Sequence, residues 1–518
     1  MTGKTRKILI VNCYFPEMRE PIKRRNEVPD ALAPVLLGGY FSQQLCEIKL
    51  YNEVHSGFIE VFRPELLSWP DMIVMTGLTA TFDRLLHLTA YAKTANPAVV
   101  SVAGGHAVRC LPNYSKNFLD YVCTGDVEQI KEVIREAFGP EYVSPEFQPR
   151  YDLAYWIKRL GYAESTRNCN FKCSFCSLTG VGLKYQPQDA AYLETQMDAM
   201  GKRMAFFFND NQLAGDGPSG FRRRIEQVQK RREAGQFKVW SGFVTDSFFW
   251  SEDNISLAAE TGCASVFVGV ESFDDSMWLK DVNKKQNSRM NQVELIQRCL
   301  EAGIIFQYGL VFDPTVQTLK QMYGQLDLIC DHAEIPAPNF IFMSIPFPGT
   351  PFFQDRYEKG QILPNTKMRD LEGSTLCVKP IDPVEEVVHF IRNGRNFRGY
   401  RKRFLAHQAK FLWHYRRSLS PFAMTVSTLT AMAILAPGYF SSPGAVFVGK
   451  GKRTNVSSSE RLDTVYTPRL PVEGRYESWF EPTFITDANG VINPLIEQDA
   501  LAGHSGSAAG SRKAVAPA

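Results

Sequence analysis

Short continuous apolar runs alternate with helical stretches along most of this chain, and that alternation narrows its fold more than any other feature. In the first part the runs lie at 7–12, 48–51, 71–76, 99–103 and 121–124. Between them 34–44, 82–95 and 127–138 have helical character. Strands apolar at every position, separated by helices, belong in a parallel sheet covered on both faces. Ligands of a doubly wound sheet bind beyond the carboxyl ends of its strands. The loops 12–18, 76–81, 104–108 and 125–128 are therefore the informative ones. A proline-containing stretch at 139–150 has the character of a linker. From 162 onward, strands are expected near 162–167, 204–209, 238–243, 265–270, 305–311 and 339–344. Six such units are too few for a closed eight-stranded barrel and predict an open one.

The expected division is α/β throughout. A doubly wound domain of Rossmann or flavodoxin-like type spans 1–140, a linker 141–160 and an open (β/α)6 TIM-like barrel 161–370. A helical C-terminal extension spans 371–500 and a tail 501–518. Gly, Ser, Ala and Pro dominate the tail, which predicts disorder. The net charge of +3 gives no global attraction to nucleic acid, and no nucleic-acid-binding motif is present. The first residues carry one short apolar strand and no small-residue cleavage site, so no signal peptide is expected. No run reaches the roughly 18 apolar residues needed to span a bilayer.

Three cysteines, Cys169, Cys173 and Cys176, lie within eight residues. The other eight, Cys13, Cys46, Cys110, Cys123, Cys263, Cys299, Cys330 and Cys377, are scattered through apolar patterns and read as reduced core thiols of a cytosolic chain. Three is the wrong number for a closed metal site. Structural zinc and a protein-saturated 4Fe–4S cluster both take four ligands, whereas a three-thiolate cluster leaves one iron open. A zinc knuckle completed by a distant residue, or a chance grouping, are the alternatives.

With Phe175 just before its last cysteine, this loop resembles the radical S-adenosylmethionine (radical SAM) signature. The loop follows the first barrel strand, at the face where such barrels hold their chemistry. The resemblance covers about 155–380 and extends to further segments. Phe208-Asn209-Asp210-Asn211 follows the second strand. Gly269-Val270-Glu271-Ser272 follows the fourth and resembles the family's Gly-x-Glu-Ser segment, with Asn283-Lys284 downstream. Pro346–Pro351 resembles the proline-rich segment after the sixth. The resemblance implies a 4Fe–4S cluster on Cys169, Cys173 and Cys176, with S-adenosylmethionine chelating the open iron. Glu271 and Ser272 would serve its polar part, and Phe175 and Val311 would wall its adenine. For Asp210, a ligand contact and a helix cap stand as equal alternatives. A strand-end Glu-Ser can likewise be a simple N-cap. In this family the cofactors carry the difficult step, abstraction of hydrogen from an unactivated carbon.

A doubly wound domain ahead of such a barrel resembles the cobalamin-binding subclass. Thr76-Gly-Leu78 stands where that subclass carries a Ser/Thr-x-Leu turn, and Gly104-Gly105 where it carries paired glycines. Small residues let a flat corrin approach the backbone. The Asp-x-His-x-x-Gly loop after the first strand is missing, so no histidine from that loop would ligate cobalt. His106 reads as part of the Gly-Gly-His turn, with cobalt ligation the less favoured role. A sheet that has lost its cofactor and merely covers the barrel is the alternative for the whole domain.

Residues 392–417 hold nine Lys/Arg and no Asp or Glu, interleaved with Phe397, Tyr400, Phe404, Phe411, Trp413 and Tyr415. Fifteen apolar-rich residues, 422–436, follow. A solvated helix face is the usual meaning of such a run. Peripheral contact of 392–436 with an anionic membrane, or cover for a lipid-like substrate, is the other reading. The resemblances together imply a cytoplasmic, cobalamin-dependent radical SAM methyltransferase acting on an unactivated carbon of a small-molecule or lipid-like substrate. It would draw electrons from a flavodoxin or ferredoxin. Oxidation, cyclisation or ring rearrangement without methyl transfer is the alternative, and a cofactor-sensing regulator is a third.

Overall fold

A computed structural model of the chain describes residues 4–15, 31–273, 277–435 and 466–501. Five parallel strands build the first sheet: β1 Arg6–Asn12, β2 Cys46–Asn52, β3 Met72–Thr76, β4 Val100–Gly104 and β5 Tyr121–Val122, in the order β2-β1-β3-β4-β5. Ile8, Leu9, Ile10 and Val11 are fully buried, as strands covered on both faces must be. This is the flavodoxin-like order, and the crevice at its switch point lies between β1 and β3. Register sets Asn12 beside Thr76, and Thr76 beside Gly104. The loops after these three strands therefore share one edge.

The linker does not hang free. Ser144 N donates to Tyr40 O at 2.8 Å, Arg150 N to Val35 O at 3.0 Å and Trp156 Nε1 to Ala31 O at 3.2 Å. It wraps the first domain before entering the second.

The remaining strands are β6 Leu160–Ala163, β7 Thr166–Arg167, β8 Gln186–Pro187, β9 Ala205–Phe208, β10 Val239–Val244, β11 Cys263–Glu271, β12 Ile305–Phe312 and β13 Phe340–Met343. Six of them form a parallel sheet in the order β13-β12-β11-β10-β9-β6. Strand alternation puts Phe206, Phe208, Trp240 and Val266 fully inside, under the flanking helices. The opposite face carries a row of partly buried rings: Phe207, Phe243, Phe267 and Phe340, with successive centroids 5.1, 5.3 and 5.6 Å apart.

The first barrel strand stops at Ala163 rather than near 167, and Thr166–Arg167 pairs antiparallel with Gln186–Pro187. The cause is Asp210, which accepts from Ser165 N at 2.6 Å and Thr166 N at 2.9 Å and draws the chain off the sheet edge. The resulting ribbon closes the base of the cysteine loop.

The basic–aromatic run 392–417 passes through two short helical turns, Phe390–Gly394 and Arg398–Tyr400, into a helix, Arg401–His414, and a second helix, Pro421–Leu435, follows. Four of the run's six aromatics, Phe397, Phe404, Phe411 and Tyr415, are core residues against the barrel. Trp413 alone among the six is strongly exposed, at 68%. No helix among the described residues is long and apolar enough to cross a membrane. Ala436, the end of the apolar stretch, lies outside the described residues, as do Pro16, Glu17 and Met18 of the first loop and all but Leu501 of the tail.

Residues 466–501 return to the first domain. Tyr466 OH donates to Asp83 Oδ2 at 2.7 Å, and Asp499 accepts from Asn113 N and Tyr114 N, both at 2.9 Å. Phe480 stacks on His87 with centroids 4.4 Å apart. Ala500 O then accepts from Gly349 N, in the loop beyond β13, at 2.9 Å. One segment thus straps the first domain to the barrel.

Candidate functional site

The cysteine loop begins at Asn168, whose φ of 59° turns the chain sharply out of the ribbon. It is stitched to the stretch after β11: Ser174 N donates to Val282 O at 2.9 Å, and Asn283 Nδ2 to Lys172 O at 2.9 Å. Each thiol of the first pair has its own partners. Gln212 Oε1 accepts from Cys169 Sγ at 3.3 Å and from Asn170 N at 3.1 Å, while Phe171 N points at Cys169 Sγ from 3.5 Å. Gln286 Nε2 donates to Cys173 Sγ at 3.5 Å. Burial raises the Cys169 thiol and pushes Cys176 up to about 11.

Gly269, Glu271 and Lys284 form the second part of the rim. The β11–β12 register slips between Gly269 and Glu271, a bulge that leaves Glu271 at φ 62°. Its carboxylate ion-pairs with Lys284, and both side chains are nine-tenths buried. Burial disfavours the Lys284 ammonium, but the Glu271 carboxylate outweighs it and its pKa is raised. Gly269 leaves room for this ion pair: a Cβ there would lie 2.5 Å from Glu271 Oε1 and 2.7 Å from Lys284 Nζ and would push the two side chains aside. The same ammonium stands 5.9 Å from the Phe175 ring centroid. Phe175 stacks on Trp278 at 6.0 Å, and with Val311 it edges a small apolar cluster of Trp278, Leu279, Val282 and Phe352. Ser272 is buried beside this rim, its N–H given to Val270 O.

Asp210 caps no helix, and it belongs to the lining of the cavity between the two sheets. It is fully buried, with Ser165 Oγ at 2.5 Å completing its partners. Its burial raises its pKa, and its bonds to Ser165 N and Thr166 N hold the backbone that leads into the cysteine loop.

Across from the barrel, Thr76, Leu78, Gly104, Gly105 and His106 line one cavity of about 410 Å³. Leu78 is 58% exposed into open space. Gly105 has φ 81°, and a Cβ there would meet Thr76 Oγ1 at 2.8 Å, so the paired-glycine turn and the threonine depend on each other. His106 Nδ1 is buried without a hydrogen-bond partner among the described residues, and burial and Arg109 lower the imidazole to about 4. The far wall of the cavity is barrel: Glu164, Arg167, Asn168, Asn209 and Phe243. The strand ends of both sheets open into the same space.

Residues 163–324 match the model of the radical SAM superfamily. The barrel is a radical SAM domain. The bacteriochlorophyllide d C-8(2)-methyltransferase of Chlorobaculum tepidum is 27% identical over 328 residues, 56% of this chain and 69% of that protein. Among solved structures, the radical S-adenosylmethionine methyltransferase TsrM from Kitasatospora setae has a TM-score of 0.53 at 15% identity, over 83% of this chain and 98% of its own. The cobalamin-dependent S-adenosylmethionine radical enzyme OxsB gives 0.50 at 17%, over 64% of this chain and only 53% of that one. At such identities the two structures speak for the fold.

Radical SAM domains use a 4Fe–4S cluster and S-adenosylmethionine, and the residues present fit both. The N–H groups of Phe171 and Gln286, aimed at the sulfurs of Cys169 and Cys173, are donors that suit thiolate ligands, while the Gln212 amide oxygen takes the S–H of a protonated Cys169. Among the described residues no three acidic, histidine or cysteine side chains crowd close enough to chelate one ion. Cluster thiolates have no need to, since each binds a different iron. The radical SAM domain also contains functional candidates that sequence patterns passed over. Gln212 and Gln286 reach the thiols from β9 and β11 loops, and Arg167 sits beneath the cysteine loop. No spacing rule marks them, because the topology alone brings them together.

Proposed function

We propose that the protein is a cobalamin-dependent radical SAM enzyme that transfers a methyl group to an unactivated carbon of a small-molecule acceptor. The observation that carries the reading is the shared cavity, with Thr76, Leu78 and the Gly104–Gly105 turn on one wall and the radical SAM rim on the other. A corrin laid on the first wall would face the cysteine-loop side directly. When bound, the cluster and S-adenosylmethionine supply hydrogen abstraction, and cobalamin supplies methyl transfer. The chain's own contribution is placement. Cys169, Cys173 and Cys176 would hold the cluster, and Glu271 and Ser272 would receive the polar end of S-adenosylmethionine. Phe175 and Val311 would wall its adenine. Small residues at 77, 104 and 105 keep side chains out of the corrin's path. The neutral His106 imidazole offers one unfilled nitrogen to the occupant. The Chlorobaculum relative is named for methylating a carbon of bacteriochlorophyllide d, which makes carbon methylation the outcome to look for first.

Electrons would come from a flavodoxin or ferredoxin. The exposed Trp413, Phe422 and Leu405, among cations of the helix Arg401–His414, would rest on an anionic membrane surface. The test is anaerobic reconstitution, with iron and cobalt counted per chain and products weighed. A gain of one methylene unit in the acceptor supports the proposal. Reductive cleavage of S-adenosylmethionine with no cobalt uptake would leave a radical SAM enzyme of another kind.

A further inference from the structure

Arg167 stands two residues before Cys169, on the short ribbon that closes the cysteine loop. Its guanidinium is nearly buried and fully engaged. Nε donates to Glu164 Oε1 at 2.6 Å, Nη2 to Tyr192 OH at 2.6 Å and Nη1 to Glu128 Oε2 at 2.6 Å. Glu164 and Tyr192 belong to the barrel. Glu128 does not: it lies in the turn Val127–Gln129 that follows β5 of the first domain, where Tyr40 OH also donates to it at 3.0 Å. The residues just before it, Gly125, Asp126 and Val127, line the shared cavity, and so do Arg167 and Asn168. The cavity is thus lined by Arg167 at one end of this bridge and by the neighbours of Glu128 at the other.

We propose that Arg167 is a positioning residue: through Glu128 it fixes the cysteine loop against the first domain, so that filling of the cavity is felt at the cluster. A planar fork is needed for this, since one guanidinium must meet two carboxylates and a phenol in fixed directions. A lysine keeps the charge but reaches one partner at a time. The coupling to cobalamin rests on the function proposed above, whereas the positioning of the loop does not.

The experiment uses the full chain, anaerobically reconstituted with iron and sulfide, as the parent, Glu128→Ala and Arg167→Lys. Iron content, S-adenosylmethionine affinity and the electron paramagnetic resonance signal of the reduced cluster are measured, with and without hydroxocobalamin. Glu128 touches no cysteine, so Glu128→Ala is expected to keep the parent's iron content. Its S-adenosylmethionine affinity should fall about tenfold, the scale of losing a supporting contact, and its cluster signal should shift. Arg167→Lys should show a loss at least as large. Should Arg167→Lys fail to fold, Glu128→Ala still decides, because the Glu128 side chain is 35% exposed. Parent-like affinity and signal in Glu128→Ala would overturn the positioning role. Hydroxocobalamin is expected to tighten S-adenosylmethionine binding in the parent and not in Glu128→Ala; equal effects in both would overturn the coupling. If the parent takes up no hydroxocobalamin, the functional reading falls, while the affinities without it still judge Arg167.

Discussion

Glu271 occupies a backbone conformation that side chains other than glycine rarely adopt, and it keeps it because the bulge turns its carboxylate onto Lys284. Gly269 makes the room. Gly269→Ala should therefore leave the iron content of reconstituted protein intact while weakening S-adenosylmethionine binding about tenfold or more, measured by equilibrium binding. Cys173→Ala should behave differently, losing iron and with it all reductive cleavage of S-adenosylmethionine. Nearby Asp246 shows the cost of burying charge. Burial raises its pKa from 3.8 to about 6, with the Glu271 carboxylate adding to the effect and Gln292 and Lys284 opposing it. The folded chain thus holds a proton that the unfolded chain releases. Stability is highest below the unfolded value, falls as pH rises towards about 6, and carries the full penalty above that. The shift corresponds to about 3 kcal/mol. Asp246→Asn, which keeps an acceptor for Gln292, should flatten this dependence and raise the melting temperature at pH 8 more than at pH 5.

At the level of elements, the C-terminal helix Arg401–His414 separates two kinds of aromatic. Phe411 is fully buried, so Phe411→Ala should cost about 3–5 kcal/mol in denaturant titrations. Trp413→Ala should change stability by no more than about 0.5 kcal/mol, yet reduce co-sedimentation with anionic vesicles; unchanged sedimentation would remove the membrane reading. The charge pattern of this stretch was plain in the sequence, but which rings face inward was not, because a run of mixed cations and aromatics has no single polar face until it meets a neighbour. The sheets were far more legible. Their strands are unbroken apolar runs such as Ile8–Val11, and burial on both faces leaves no other reading. The first barrel strand failed at its end, since the bonds from Ser165 and Thr166 to Asp210 are made across 45 and 44 residues and no local pattern contains them. The site divides in the same way. The cysteines and Glu271 announce themselves by motif, whereas Gln212, Gln286 and Arg167 gain their meaning from the fold.

For the molecule as a whole, the strap 466–501 decides how the two domains stay together. Phe480 is 3% exposed between His87 and Tyr91. Phe480→Ala should lower the melting temperature through a loss of about 3–5 kcal/mol, and limited proteolysis should then cut first within the strap. Asp499→Ala, which removes the acceptor for Asn113 and Tyr114, tests the same closure through hydrogen bonds. The bonds of Tyr466 to Asp83, of Asn113 to Asp499 and of Thr483 N to Asp83 join residues 383, 386 and 400 positions apart. Contacts so distant in sequence form slowly, and domains generally fold in the order they leave the ribosome. Both sheets, already bridged by Arg167 and Glu128, are therefore complete before the clasp exists. That interval is the natural window for a bulky prosthetic group to enter between them, so maturation in the cell should depend on cofactor supply during synthesis more than on supply afterwards.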